Sequence, residues 1–298
     1  MMVLQRHQVT NMAFIRKNIP LLVFLSVQIP NAISFLGTTE LGFEETSANT
    51  RDHMLITKSA LISVVMEFLM SHPEYLKNRR PVEFINKIIS HQESPKHLKI
   101  ALESISPELE FINAMNEIQI SNAEVDAPPF KHRAAAHFDG EQIKPGRQRL
   151  LNLKSQVISS VFQEKKLEYA RNLAGKYLHT LQDFYSRSNW VELGNVKLFD
   201  NLTNPDYEIG EDFLAAENES TCRPCTPAIG SEIEVDDCQA NLITNKLTSG
   251  YVSGQDVIKP LGKQKCSRGG KMDNSRFLPA TGGINKDSYR RIYSPHHR

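Results

Sequence analysis

Residues 174–194 read Ala-Gly-Lys-Tyr-Leu-His-Thr-Leu-Gln-Asp-Phe-Tyr-Ser-Arg-Ser-Asn-Trp-Val-Glu-Leu-Gly. From about 165, the apolar positions Leu167, Ala170, Leu173, Ala174, Tyr177, Leu178 and Leu181 recur at helical spacing, which predicts an amphipathic helix running to about 187. His179 and Asp183 stand four apart, so imidazole and carboxylate share one helix face. That pairing suits a metal such as zinc. One turn further on, the same face carries Arg187, a permanent cation that cannot ligate a metal. The Asp183–Arg187 spacing offers an intrahelical salt bridge, worth about 0.3–0.5 kcal/mol in water. A guanidinium beside a bound divalent ion would repel it in a low-dielectric site, so surroundings built on Arg187 suit an anion such as phosphate better.

Helical patterns continue outward from this segment. Residues 53–70 place Ile56, Ala60, Val64, Phe68 and Leu69 on one stripe, and further helices are expected near 82–90, 95–104 and 107–119. Pro128-Pro129 opens an irregular passage through Ala134-Ala135-Ala136-His137-Phe138-Asp139-Gly140, before a long helix over about 141–162. One more helix is expected near 236–248. No strand-type alternation and no internal repeat is found. The fold class that follows is mainly α, a multi-helix bundle with a long irregular C-terminal segment.

Candidate ligands are His53, His137, Asp139, His179, Asp183 and the pair His296/His297. Zinc needs three or four nitrogen or oxygen ligands from different segments, and His137-Phe138-Asp139 offers a second pair from a tight loop. For each alone a structural role is the simpler one: a hydrogen bond or ion pair on the helix, a turn and helix cap in the loop. No Gly-x-Ser-x-Gly elbow, no phosphate-binding glycine loop and no cysteine in a catalytic context is present.

The 298 residues carry a formal net charge of +1, which favours neither nucleic acid nor an anionic membrane as partner. Arg16 and Lys17 precede an apolar run over 19–27, and Ala32 and Ser34 follow at the spacing of a signal-peptidase site. A signal peptide over 1–34 and a secreted, extracellular product are expected. The run is too short for a membrane anchor and is broken by Pro20 and Pro30, so no transmembrane segment is expected in the mature chain. Cys222, Cys225, Cys238 and Cys266 fit two disulfides with three possible connectivities; a four-cysteine zinc site would need a second Cys-x-x-Cys, which is missing. Asn201-Leu202-Thr203 and Asn218-Glu219-Ser220 are glycosylation sequons. The expected organisation is a helical core over 35–194 and a cysteine-containing extension over 195–298 that packs on it.

Five stretches together resemble the N-terminal region of the von Willebrand factor A domain-containing protein 7 family. They are His137-Phe138-Asp139, the segment 179–194, Leu247-Thr-Ser-Gly-Tyr251, Cys266-Ser-Arg-Gly-Gly270, and Gly282-Gly-Ile-Asn-Lys-Asp-Ser288 through Ser294-Pro-His-His297. The helix motif is also similar to the Het-C heterokaryon-incompatibility family, itself distantly similar to α-helical zinc-dependent phospholipase C and single-strand nucleases. The resemblance implies an extracellular helical region, normally followed by a von Willebrand A domain with its adhesion-site metal. The chain carries no Asp-x-Ser-x-Ser, and its end at Ser294-Pro295-His296-His297-Arg298 reads as a truncation before such a domain. The phospholipase-like relation would cast His179 and Asp183 as zinc ligands, with His53, His137 or Asp139, and His296 or His297 beside them. The family motif reads Ser-His-Ser-Asn-Trp where this chain has Arg187. The expectation is therefore a non-catalytic interaction or structural module binding an extracellular protein or lipid; the alternative is a zinc-dependent phosphodiesterase of phospholipase C type, in which metal-bound water attacks phosphorus with Asp139 or Asp183 orienting it.

Overall fold

The computed structural model describes residues 35–36, 51–71, 109–223, 241–268 and 284. The signal segment, the helices expected near 82–90 and 95–104, Cys225, Cys238 and His296/His297 lie outside them. Helices dominate: α1 (His53–Ser71), α2 (Leu109–Ala123), α3 (Ala134–His137), α4 (Ile143–Phe162) and α5 (Leu167–Arg187). Regular strand pairing among the described residues amounts to the parallel pair Phe35–Leu36 and Arg51–Asp52. The fold is mainly α, and α4 and α5 begin and end within two residues of their expected bounds. No helix among the described residues is long and apolar enough to cross a membrane.

The chain divides into two compact units that interleave along the sequence, one of 1–29, 54–121 and 154–175, the other of 30–53, 122–153 and 176–298. In the first, α1 buries Ile56, Leu61, Val64 and Phe68, and α2 buries Met115 and Ile118. Gln119 Nε2 donates to the Met54 carbonyl at 3.0 Å, and Arg171 pairs with Glu117 at 2.6 Å. These periodic apolar positions are why the helices form here, since tertiary burial supplies most helical stability in proteins.

The second unit holds the candidate residues. An aromatic group of Phe138, Phe184, Trp190, Phe199 and Phe213 packs at centroid distances of 4.7–6.5 Å. Trp190 Nε1 donates to the Lys197 carbonyl, so the indole is buried without an orphaned N–H. The helix expected near 236–248 is absent over 241–248. Leu242 and Leu247 there make isolated bridges to Cys222 and Leu214, and the segment's backbone bonds go sideways to those neighbours. Cys222 and Cys266 form a disulfide and pack with Leu242 and Ile284. This bridge fixes the chain two residues before Arg268.

Candidate functional site

The second half of α5 is buried all round: every residue from Gln182 to Trp190 is shut off from solvent. A helix that carries His179, Gln182, Asp183, Ser186 and Arg187 cannot be buried unless those groups find polar partners. They meet His53 from the start of α1, Asn122 and Asp126 from the end of α2 and the 3-10 turn after it, and the loop His137-Phe138-Asp139. That loop is held in an unusual shape. The N-terminus of the four-residue α3 receives a remote cap, Ala134 N–H donating to Asp256 Oδ1 at 2.8 Å. Phe138 (φ 54°), Gly140 (φ 57°) and Glu141 (φ 61°) are all left-handed. The first ends α3, so that His137 and Asp139 face the same centre from either side of the turn.

Asp183 is the hub. His137 Nδ1 lies 2.8 Å and His179 Nε2 3.0 Å from its Oδ2, while Arg187 Nε lies 3.1 Å and His53 Nε2 3.4 Å from its Oδ1. His179 Nε2 is also 3.3 Å from His137 Nδ1 and 3.5 Å from Asp126 Oδ1. The rings of His53 and His179 stack at 4.2 Å. Arg187 reaches two further carboxylates, Asp139 Oδ2 at 3.4 Å and Asp126 Oδ1 at 4.0 Å. Asp139 also accepts from Gln255 Nε2 at 2.6 Å and faces Arg268 at 3.5 Å.

Two amides orient the histidines. His53 Nδ1 is 2.6 Å from Gln182 Oε1, and His179 Nδ1 is 3.2 Å from Asn122 Oδ1. Asn122 Nδ2 donates in turn to Gln182 Oε1 at 3.3 Å. With the amide oxygens as acceptors, both Nδ1 atoms carry a proton and both Nε2 atoms turn toward the carboxylates. His137 Nε2 is buried with no hydrogen-bond partner among the described residues.

The electrostatics follow from this geometry. Burial works against the charge on His53, but the hydrogen bond and field of Asp183, with Asp126, outweigh it and raise its pKa to about 9. Burial wins at His137, which falls to about 4 and stays neutral, and at Asp139, which rises to about 6 against the pull of Arg268 and Arg187. Burial also opposes ionisation of Asp183, yet Arg187, His179 and the hydrogen bond from His137 hold it well below the usual carboxylate range. At neutral pH the carboxylates of Asp126, Asp139 and Asp183 therefore lie among cations that include Arg187, Arg268 and protonated His53.

The structure thus brings His53, His137, Asp139, His179, Asp183 and Arg187 together. Asp126, Asn122, Gln182, Gln255 and Arg268 were not singled out in the sequence. Gln182 is three residues from His179 on the same helix, and Arg268 lies inside the Cys266-Ser-Arg-Gly-Gly270 stretch, so both carried a legible signal. Asp126 and Gln255 did not. Of the sequon residues, Asn218 is exposed in a turn, and Asn201 is half-buried in a 3-10 helix with its side chain accepting from Asn204.

The donor chemistry fits zinc: the triads His53–Asp126–His179 and His137–His179–Asp183 each bring ligand atoms within 4.8 Å of one another. The residue set as a whole does not fit, because the guanidinium of Arg187 lies within 3.1–4.0 Å of carboxylate oxygens of Asp183, Asp139 and Asp126, the oxygens a cation would draw on.

A family model described as the VWA7 N-terminal domain matches residues 93–298. The chain is similar to von Willebrand factor A domain-containing protein 7 of Mus musculus, 40% identical over 192 residues, covering 63% of this chain and 20% of that protein. Against the protein of that name from Homo sapiens it is 34% identical over 248 residues, 82% of this chain and 26% of the relative. The chain therefore spans only 20–26% of the length of these curated relatives. No solved structure matches it.

Proposed function

The chain belongs to the VWA7 N-terminal domain family, and on that premise we propose that it is a secreted, extracellular, non-catalytic module that binds a protein or lipid partner. The observation that carries this reading is Arg187, buried to 2% exposure, with its guanidinium within 4.0 Å of three carboxylates. Hydrolysis of a phosphodiester at such a centre needs a metal-bound water with an open position. Here the cation is part of the polypeptide, cannot lose its charge and offers no water to activate. The cluster then works as a charged keystone: Asp139 joins α5, through Arg187, to Gln255 and Arg268 of the C-terminal segment. The Cys222–Cys266 disulfide supports the extracellular assignment, since such bonds persist in oxidising compartments.

The zinc-dependent phosphodiesterase is the rival, favoured by the two histidines held through Nδ1 with Nε2 toward carboxylates. Elemental analysis of the tag-free protein, purified from the medium of secreting cells, separates the two. The proposed reading expects no stoichiometric zinc, manganese or iron and no turnover of bis-p-nitrophenyl phosphate. About one zinc per chain, lost in His179→Ala, would overturn it.

A further inference from the structure

The geometry points to a docking pocket for an arginine side chain of an extracellular protein, in a hollow at the start of α4 that none of the buried cluster's charged residues lines. This rests on the non-catalytic binding reading above and names the chemistry of the partner. The hollow encloses about 420 Å3, within the roughly 300–1,000 Å3 in which proteins hold ligand groups. All of it lies in the second unit. Ile143, Leu247 and Tyr251 are buried at its base, and Leu214 and Val257 stand half-buried above them.

The base is held rigid from below. The Glu141 carboxylate accepts from Thr248 Oγ1 at 2.7 Å, Tyr251 OH at 3.0 Å and Lys265 Nζ at 2.8 Å. Lys265 Nζ also donates to the Ala216 carbonyl at 2.6 Å, which fixes the backbone just before Glu217. Glu141 is thereby satisfied, and the charge open to a partner sits on the exposed rim, at Glu211 and Glu217. Glu211 pairs with Lys144 in an exposed ion pair, of a kind worth at most about 1 kcal/mol and easily exchanged. Among the described residues no cation pairs with Glu217. Three carboxylates (Glu141, Glu211, Glu217) against two ammonium groups (Lys144, Lys265) leave one net negative charge, 2 − 3 = −1. Lys259 and Lys263, on the neighbouring loop, do not line the hollow.

An apolar shaft under an acidic rim matches a side chain with an aliphatic stem and a cationic head. Arginine suits it best, since its planar fork can bond a carboxylate through two N–H groups and arginine is enriched at the anchoring positions of interfaces. The surroundings call for a protein around that side chain. Ile258, at the edge of the hollow, is 86% exposed, and Leu261, three residues on, is 97% exposed. Such apolar surface beside a pocket is what a protein partner covers. An anionic lipid surface would be repelled by Glu211 and Glu217 in the same place.

The test titrates the full tag-free chain by calorimetry with a blocked peptide, acetyl-Gly-Leu-Arg-Leu-Gly-amide, and follows amide exchange over 211–217 and 256–260. A control peptide carries citrulline, which keeps the shape of arginine and loses its charge. The arginine peptide should bind, slow exchange in both segments and weaken with added salt. The citrulline peptide should bind roughly 3–10-fold more weakly, the effect of losing charge-assisted hydrogen bonds. Glu217→Lys, a change at an exposed position, should keep the thermal midpoint and weaken the arginine peptide roughly tenfold. Equal binding of the two peptides, binding of neither, protection elsewhere, or an undiminished Glu217→Lys would overturn the proposal. Sedimentation with phosphatidylserine vesicles that Ile258→Ser abolishes would assign the surface to lipid, and a dimer that Glu217→Lys dissociates would assign it to a second copy; either overturns the proposal. Its failure leaves the non-catalytic reading standing, because the metal content of the same preparation decides that reading.

Discussion

Arg187 Nε lies 3.1 Å from Asp183 Oδ1, one helical turn away on α5, with both side chains shut off from solvent. At the surface this i,i+4 pair would contribute a few tenths of a kcal/mol. Buried, its two members cannot be removed independently, because the survivor is left charged in a low-dielectric interior.

Arg187→Met therefore leaves Asp126, Asp139 and Asp183 facing one another with one cation fewer. A loss of about 3–5 kcal/mol is expected, the usual result of breaking a buried pair from one side. Urea unfolding measures it. A loss below about 1 kcal/mol would mean that the guanidinium is not the main counter-charge.

The disulfide predicts a separate loss. Cys222 and Cys266 are 44 residues apart, and closing a loop of that length in the unfolded chain corresponds to about 4 kcal/mol in the chain-entropy description. Cys266→Ser should lower the thermal midpoint accordingly. Peptide mapping without reductant should recover Cys222 linked to Cys266 and, if the remaining two cysteines pair, Cys225 linked to Cys238.

Stability should fall between about pH 6.5 and 9. The folded-state pKa of His53, about 9, lies above the ordinary value of 6.5. Its stabilising contribution is complete below about 6.5 and is lost as pH rises through 9. Asp139, raised to about 6, loses its contribution as pH climbs from 3.8 through 6, while His137, lowered to about 4, gains one between 4 and 6.5, so these two oppose each other. The alkaline slope belongs to His53. Thermal melts should show it in the unmodified chain and show it flattened in His53→Gln; a flat profile in both would contradict the charge assignment.

Gly250→Ala tests how the C-terminal segment is held. A Cβ there would lie 2.5 Å from the backbone N and Cα of Arg268. The flanking register, Tyr251 N–H to the Cys266 carbonyl and Arg268 N–H to the Tyr251 carbonyl, would have to open. A destabilisation of about 1–3 kcal/mol is expected, as for other overpacked sites, with faster amide exchange at Tyr251 and Arg268.

The periodicity of α4 and α5 and the i,i+4 placement of His179, Asp183 and Arg187 were legible in the chain, because helix geometry is local and repeats every 3.6 residues. The segment 179–194, with its companion stretches, likewise carried the family relationship. Folding decided which face of α5 met solvent. A polar helix face normally reads as the wet one, yet here it is buried, because His53, Asn122, Asp126 and Asp139 arrive from segments 40–130 positions away to satisfy it. Likewise the pairing of Cys222 with Cys266, and the arrival of Gln255 and Arg268 at Asp139, join residues more than 40 positions apart in sequence. No local pattern encodes such meetings. The meetings at Asp139 follow from the requirement that every buried charge find its partner, and the cystine from the fold bringing Cys222 and Cys266 side by side, conditions that only the folded chain can meet.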